Sequence, residues 1–227
     1  MKKYYILRYN SLNLKETGTQ FQSIDGIGGD IQQDFIPFEG RINFPFKLPE
    51  PYLQKKAKQT TYLNVMMIPS PFLVFKKYFI DFLRSFNIEE FQTWNLKVHH
   101  NDNIINDYEL FRLSESYQRE VIDFKHSIFF LGDFFDYAFE GESIIIKDYN
   151  SYIETRNEIS KKNKLLKYSE ICLDLSDIKL DIFRVINTPA SGYYVSEQLK
   201  NAIEKERFTG FAFQEIEEMD NRIKVIY

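Results

Sequence analysis

The sequence predicts an α+β fold: mixed sheets with two similar strand-helix-strand units, at about 71–94 and 192–216, packed with additional helices. Three observations predict it. The stretches "PFLVFKKYFIDFLRSFNIEEFQTW" and "GYYVSEQLKNAIEKERFTGFAFQEI" each run from a β-rich start through an amphipathic middle to an alternating aromatic end. Setting Val74 against Val195 brings Tyr78 opposite Leu199 and Phe82 opposite Ile203, and one skipped residue then places Phe91 on Phe211. Finally, 22 Phe and 15 Tyr in 227 residues supply large flat side chains for a core, in a chain long enough to bury one.

Along the chain, "KKYYILRYN" has high β propensity and opens the fold as a strand. "DGIGGD" reads as a tight turn whose glycines take positive φ. The proline-punctuated stretch from Pro37 to Pro51 reads as irregular, with Pro51 placed to open a short helix because it has no N–H to lose there. Residues 1–70 are thus an N-terminal strand and irregular segment packed on a main body, 71–227, that carries the internal repeat.

In the first unit "FLVF" is a strand, and Tyr78, Phe79, Phe82, Leu83 and Phe86 mark one face of a helix that Asn87 can end. "EEFQTWNLKVHH" alternates and returns to the same sheet. "DYELFRLS" and "REVIDF" read as a strand pair joined by "ESYQ", and "SIIIKDY" is a β-branched run. Residues 149–167 read as an exposed helix, from a weak period at Ile153, Arg156 and Ile159. In the second unit "GYYV" is a strand, Ser196 caps the helix that follows, and Glu197 suits its positive end. Leu199, Ala202 and Ile203 form that helix's apolar face, and Gly210 turns the chain into a strand that places Phe211 and Phe213 on one side. Replacing Ser196 with Ala should cost about 1 kcal/mol, the typical value of such a cap. Two such units admit three origins: a duplication, two halves that complete one sheet, or coincidence in a common motif.

Net charge is -4, neither the basic balance of a nucleic-acid binder nor the extreme acidity of a nucleic-acid mimic. Met1–Lys125 holds 16 basic and 15 acidic residues and His126–Tyr227 holds 13 and 18, so the acidity lies in the second half. The apolar start is broken by Arg8 and lacks a small-residue cleavage site, and no run reaches the roughly 20 apolar residues of a membrane span. A cytoplasmic location is expected, without membrane or nucleic-acid partners. The lone Cys172 in "EICLDL" reads as a buried small hydrophobe.

No catalytic constellation, metal site or cofactor is expected. His99, His100 and His126 lack the helical spacing of zinc ligands, and adjacent His99 and His100 on a strand point to opposite faces. "DGIGGD" is not followed by Gly-Lys-Ser/Thr, and the serine of "YYVSEQ" lacks the far glycine of a nucleophile elbow. Carboxylate pairs such as Asp174 with Asp177, or Glu217 with Glu218, read as solvated. The candidate partner-binding stretch is 129–142. As a helix it sets Asp133, Asp136 or Tyr137, and Glu140 along one face near Phe134 and Phe135, aromatic anchors beside acids that suit a basic partner. A core helix with a charged outer face is the competing reading, and Gly132 and Gly141 weaken a helix of either kind.

"DIFRVINTPASGYYVSEQLKNAIEKERFTGFAFQEIEEMD" resembles the C-terminal signature of bacterial immunity proteins grouped as immunity protein family eleven, which similarly show a "VSE-x-L-K" strand-to-helix turn followed by a Gly-Phe-x-Phe strand. "SPFLVFKKYFIDFLRSFNIEEFQTWNLKV" and "VIDFKHSIFF" resemble the family's earlier half, and the likeness spans roughly Pro71 to Asp220. The resemblance implies a small cytoplasmic protein, commonly encoded beside a polymorphic toxin, that binds the toxin's C-terminal domain and protects producer and kin cells. It supplies no catalytic residues. The matching positions Gly192, Tyr194, Val195, Ser196, Leu199, Gly210 and Phe211 each have a structural role to fill. An adaptor that loads an effector onto a secretion machine, and an enzyme that reverses a toxin's effect, are the other function classes.

Overall fold

β1 (Tyr4–Tyr9) is buried on both faces, with Tyr4 and Ile6 in one core and Tyr5 and Leu7 in another. A strand wanted by two cores sits inside a sheet, and β1 indeed lies between two strands from the far end of the chain. The structure is a computed structural model that describes residues 2–31, 33, 35–37, 39–69, 71–117, 121–133, 141–186 and 190–227. After β1 come a single turn, α1 (Leu14–Thr17), and then β2 (Ser23–Ile27), β3 (Glu50–Leu53), β4 (Tyr62–Leu63) and β5 (Leu73–Lys76). α2 (Lys77–Leu83), β6 (Phe91–His100), β7 (Asn103–Leu113), β8 (Ile128–Asp133) and β9 (Glu142–Ile144) follow. The chain ends with α3 (Tyr149–Lys161), β10 (Lys164–Asp174), β11 (Ile182–Val185), β12 (Gly192–Ser196), α4 (Glu197–Lys205), β13 (Phe211–Glu215) and β14 (Ile223–Ile226).

The strands form three sheets, ordered β2-β3-β6-β7-β5-β4, β11-β12-β1-β13 and β14-β10-β8-β9. Strands and helices together make the expected α+β fold. One core, built by Phe75, Phe79, Leu83 and Phe111 from the first unit and by Leu7, Val195, Leu199 and Phe211 from the second, joins the first two sheets and both unit helices. Tyr108 and Leu110 of β7 face a second core, and Ile6 and Tyr194 meet Ile171, Leu173 and Ile223 of the third sheet in another.

The two units match in register through four strands. β5 and β6 flank β7, with Phe75 opposite Glu109 and Phe91 opposite Leu113. β12 and β13 flank β1 in the same way, with Val195 opposite Tyr5 and Phe211 opposite Tyr9. On the outer side Tyr62 pairs with Phe75 as Ile182 pairs with Val195. Even the bond into the helix start repeats: the Lys76 N–H donates to the Thr61 carbonyl at 2.9 Å and the Ser196 N–H to the Asp181 carbonyl at 2.9 Å. Only the connection of the central strand differs. β7 follows β6 through a turn with Asn101 and Asp102 at positive φ, whereas β1 starts the chain, so one unit is a circular permutation of the other.

This register corrects the alignment of the units by one residue. Lys76, not Phe75, is the equivalent of Ser196, so Phe79 matches Leu199 and Leu83 matches Ile203, and Phe91 then meets Phe211 with no skipped residue. Burial explains the error: Tyr78 is 51% exposed, and Phe82 is half-buried, whereas Phe79, Ile80 and Leu83 are buried. Matching aromatic with aliphatic residues by type had placed the apolar face one residue too early.

Other local expectations change too. α2 ends at Leu83, and Asn87 instead donates its N–H to the Asp181 carboxylate at 2.9 Å. Asp25, Gly26 and Ile27 lie in β2, and Gly29 is needed not for a turn but because a Cβ there would overlap the Lys47 carbonyl and the Pro49 nitrogen. Gly210 does turn the chain, at φ +89, where a Cβ would overlap the Tyr62 carbonyl. Pro51 sits inside β3 and opens no helix. The described part of "REVIDF", 121–124, does not pair with β7: Val121 and Ile122 are buried, and Ile122 makes an isolated bridge to Leu173. The helix of 149–167 stops at Lys161, and Lys164 already belongs to β10. Its start is fixed by a reciprocal cap, in which Asp148 accepts the Ser151 N–H at 2.8 Å and Ser151 Oγ accepts the Asp148 N–H at 3.0 Å.

Candidate functional site

The positions that carry the resemblance all serve the scaffold. Gly192 opens β12 opposite Val185, Tyr194 is buried and donates its hydroxyl to the Ala190 carbonyl at 2.7 Å, and Val195, Leu199 and Phe211 line the shared core. Ser196 caps α4 as expected, accepting the Leu199 N–H at 3.1 Å, and it also donates to Asp181 Oδ1 at 2.6 Å. Asp181 is only 4% exposed and gathers three donors: Ser196 Oγ, the Asn87 N–H and Lys2 Nζ at 2.9 Å. Burial alone would raise its pKa, but Ser196, Lys2 and Asn87 hold the carboxyl below the usual carboxylate range.

The stretch expected to bind a partner is no helix over its described part. Ile128–Asp133 is strand β8, paired with β10 on one side and β9 on the other. A dense run of apolar residues fits either period, and two-sided pairing decides for the strand. Asp133 ends β8 opposite Lys164 and forms an ion pair with it at 2.5 Å. Phe134, Phe135, Asp136, Tyr137 and Glu140 lie outside the described residues.

Titratable groups named from the sequence are engaged in local structure. His99 Nε2 lies 2.9 Å from Glu50 Oε2 with its ring stacked on Tyr52, His126 pairs with Asp123 at 2.6 Å, and His100 lies beside Asn101. Asp174 accepts from Ser176, and Glu217 accepts from the Tyr227 hydroxyl. Cys172 is buried in β10, and burial pushes its thiol pKa up. Among the described residues no group of three His, Cys, Asp or Glu side chains is placed to hold a metal ion.

Depressions of about 490 and 470 Å³ open among the described residues. One, of about 490 Å³, lies at the turn from α2 to β6 and is lined by Arg84, Phe86, Ile88, Glu89, Glu90, Phe91 and Thr93. Glu89 is half-buried there and accepts the Glu115 N–H at 3.1 Å, and burial raises its carboxyl pKa. A raised carboxyl pKa means that the folded state prefers the protonated form. The resulting stability is fully present below the unfolded-state pKa and is lost as pH rises through the folded-state value. Glu89→Gln is therefore expected to raise the melting temperature at pH 7 and to leave it unchanged near pH 3. A difference of the same size at both pH values would exclude this cause.

The other depression, of about 470 Å³, opens on the third sheet between the segment before β8 and the β9 strand with its continuation. Phe129 and Ile146 are buried in its floor, where Phe129 meets the Tyr152 ring of α3 at 5.7 Å. Ile128 is 50% and Ile145 85% exposed, an apolar surface left to solvent on both sides of the groove. Lys125 and Lys147 stand on its wall, and among the described residues no carboxylate lines it. β9 is the terminal strand of its sheet, so among the described residues one of its edges keeps unpaired backbone groups. Of the β-branched run "SIIIKDY" only Ser143 and Ile144 pair within β9, and three consecutive isoleucines do not by themselves say which stays exposed.

Among known proteins, no family model matches the chain, and no curated protein matches it. Among the described residues no helix is long and apolar enough to cross a membrane.

Proposed function

We propose that the protein is an immunity protein. It binds the C-terminal domain of a cognate secreted bacterial toxin in the cytoplasm, one molecule to one, and neutralises it by covering the toxin's active site or its substrate approach. The observation that carries this reading is the open apolar groove on the third sheet, with Ile128 and Ile145 presented to solvent. Solvent-facing apolar surface of this kind is costly to leave uncovered, and its ordinary use is contact with another protein. The resemblance of 71–220 to immunity protein family eleven supplies the class of partner. The C-terminal signature positions named above hold the scaffold together, and the groove draws instead on 124–129 and 143–147.

Binding and occlusion require no reaction by this chain, so protection follows stoichiometry. Co-expression with the C-terminal domain of the neighbouring gene's product is expected to restore growth only when this protein is at least equimolar, and the purified pair to elute as a one-to-one complex. Protection by a small fraction of an equivalent would mean an enzyme that reverses the toxin's effect. A stable complex without protection would mean an adaptor.

A further inference from the structure

We infer that the face formed by α1, the loop before it and the β3–β4 connection docks on an anionic lipid membrane. It is a second contact surface, and it does not depend on the toxin-binding reading. The β3–β4 connection packs directly on α1. The Lys58 N–H donates to the Thr17 carbonyl at 2.9 Å, and Gly18, at φ +78, lies so close to the Lys56 carbonyl that a Cβ would overlap it. Ala57, 4% exposed, anchors the turn in the core. That packing gathers four exposed lysines, Lys15, Lys55, Lys56 and Lys58, on one surface. Segments 10–24 and 51–80 together contain one carboxylate, Glu16, and it is already engaged by the Gly210 N–H and the Asn13 amide. Attraction to a charged surface is set by charges within roughly 10 Å of it at about 0.1 M salt, so this patch matters more than the net charge of -4.

Apolar side chains stand among the lysines. Leu12 is 91% exposed, Leu14 54% and Phe21 38%. Leu12 and Leu14 lead into Lys15, and the Phe21 carbonyl accepts the Gln54 side-chain amide at 2.7 Å, next to Lys55. An occupant must therefore present negative charge and also take up apolar tips that stand clear of the surface. A membrane interface does both, with anionic headgroups for the lysines and the acyl boundary for the leucines and the ring. A nucleic acid would meet the lysines and gain nothing from aliphatic tips, and an acidic protein face would need a separate pocket for each of them. The expectation of no membrane partner rested on the lack of a spanning run, which docking at the surface does not require.

The probe is vesicles of phosphatidylcholine alone, or of phosphatidylcholine mixed in equal parts with phosphatidylglycerol, sedimented with the full-length protein at about 0.1 M salt. Partition into the mixed vesicles is expected to be at least roughly tenfold stronger than into the neutral ones, and to weaken as salt is added. Lys55→Glu with Lys56→Glu should lower it by about tenfold or more. Leu12→Ser with Leu14→Ser, which leaves the charge unchanged, should lower it by about threefold or more. All four side chains are exposed, so both variants should melt within a few degrees of the parent. Single-stranded RNA and polyglutamate are titrated in parallel. Equal partition into the two kinds of vesicle, partition into neither, or binding unchanged in either variant would overturn the inference. Binding of RNA or polyglutamate as tight as that of the mixed vesicles would do so too, by assigning the lysines to a soluble polyanion. None of these outcomes bears on the immunity reading, which the co-expression experiment decides.

Discussion

Asp181→Ala is expected to destabilise the protein by about 3–5 kcal/mol, the range for removing one partner from a buried charged network. The carboxylate sits where three parts of the chain meet: Lys2 before β1, Asn87 between α2 and β6, and Ser196 at the start of α4. Its loss leaves the buried Ser196 hydroxyl without its acceptor, while the Asn87 N–H, on an exposed residue, and Lys2, about a third exposed, are easily resolvated. For a chain of this size the melting temperature should fall by on the order of 10 °C. The pH dependence has a definite sign. Asp181 has a depressed pKa in the folded state, so its contribution is present above the unfolded carboxylate pKa and fades as pH falls through the folded value. The gap between parent and variant should therefore narrow on acidification. Ser196→Ala, given about 1 kcal/mol as a cap alone, is expected to cost about 2–3 kcal/mol, because it also removes a charge-assisted bond to a buried acid. The two losses share one bond, so Asp181→Ala with Ser196→Ala should cost clearly less than the sum of the singles in denaturant titrations. Additive losses would mean that the two side chains act independently.

The strand-helix-strand units were legible because they rest on local signals: β-branched and aromatic runs, a serine cap, a glycine at a forced turn, and helical periodicity. Their exact superposition was not, because side-chain type and burial disagree by one position in α2, where Tyr78 looks like core and stays half outside. Nor does any local signal reveal that β1 completes the second unit's sheet. That pairing joins residues nearly a whole chain apart, and a run such as Tyr4–Leu7, apolar on both faces, says only that the strand is buried. The helical reading of the start of 129–142 gives way to a strand for a related reason. Around Ile128–Asp133 the aromatic density satisfies helical and extended patterns alike, and pairing with β10 and β9 makes the choice. The groove depends on Ile145 remaining outside while its neighbour Ile146 goes in, a distinction made by where β9 stops pairing.

Phe211→Ala is expected to cost about 3–5 kcal/mol, and Phe91→Ala, at the equivalent position of the other unit, no more than about half of that. Register makes the two residues equivalent, each the first of its strand and each opposite the end of a central strand. Packing makes them unequal. Phe211 is 8% exposed and meets Phe79 at 4.7 Å, Tyr62 at 5.5 Å and Phe75 at 5.9 Å, so its removal opens a void that residues from both units would have to collapse to fill. Phe91 is half-buried on the wall of the α2–β6 depression, touching Phe111 at 5.2 Å and covered by the Arg84 guanidinium at 5.0 Å, where water can enter a space left by truncation. The repeated unit is thus symmetric in strand pairing and asymmetric in side-chain packing, and the asymmetry places the aromatic centre of the shared core on the second unit's β13. Denaturation midpoints of the two variants, at unchanged slope, measure it directly. Equal losses, or a larger loss at Phe91, would show that the core is shared evenly and that the ring contacts around Phe211 do not set its stability.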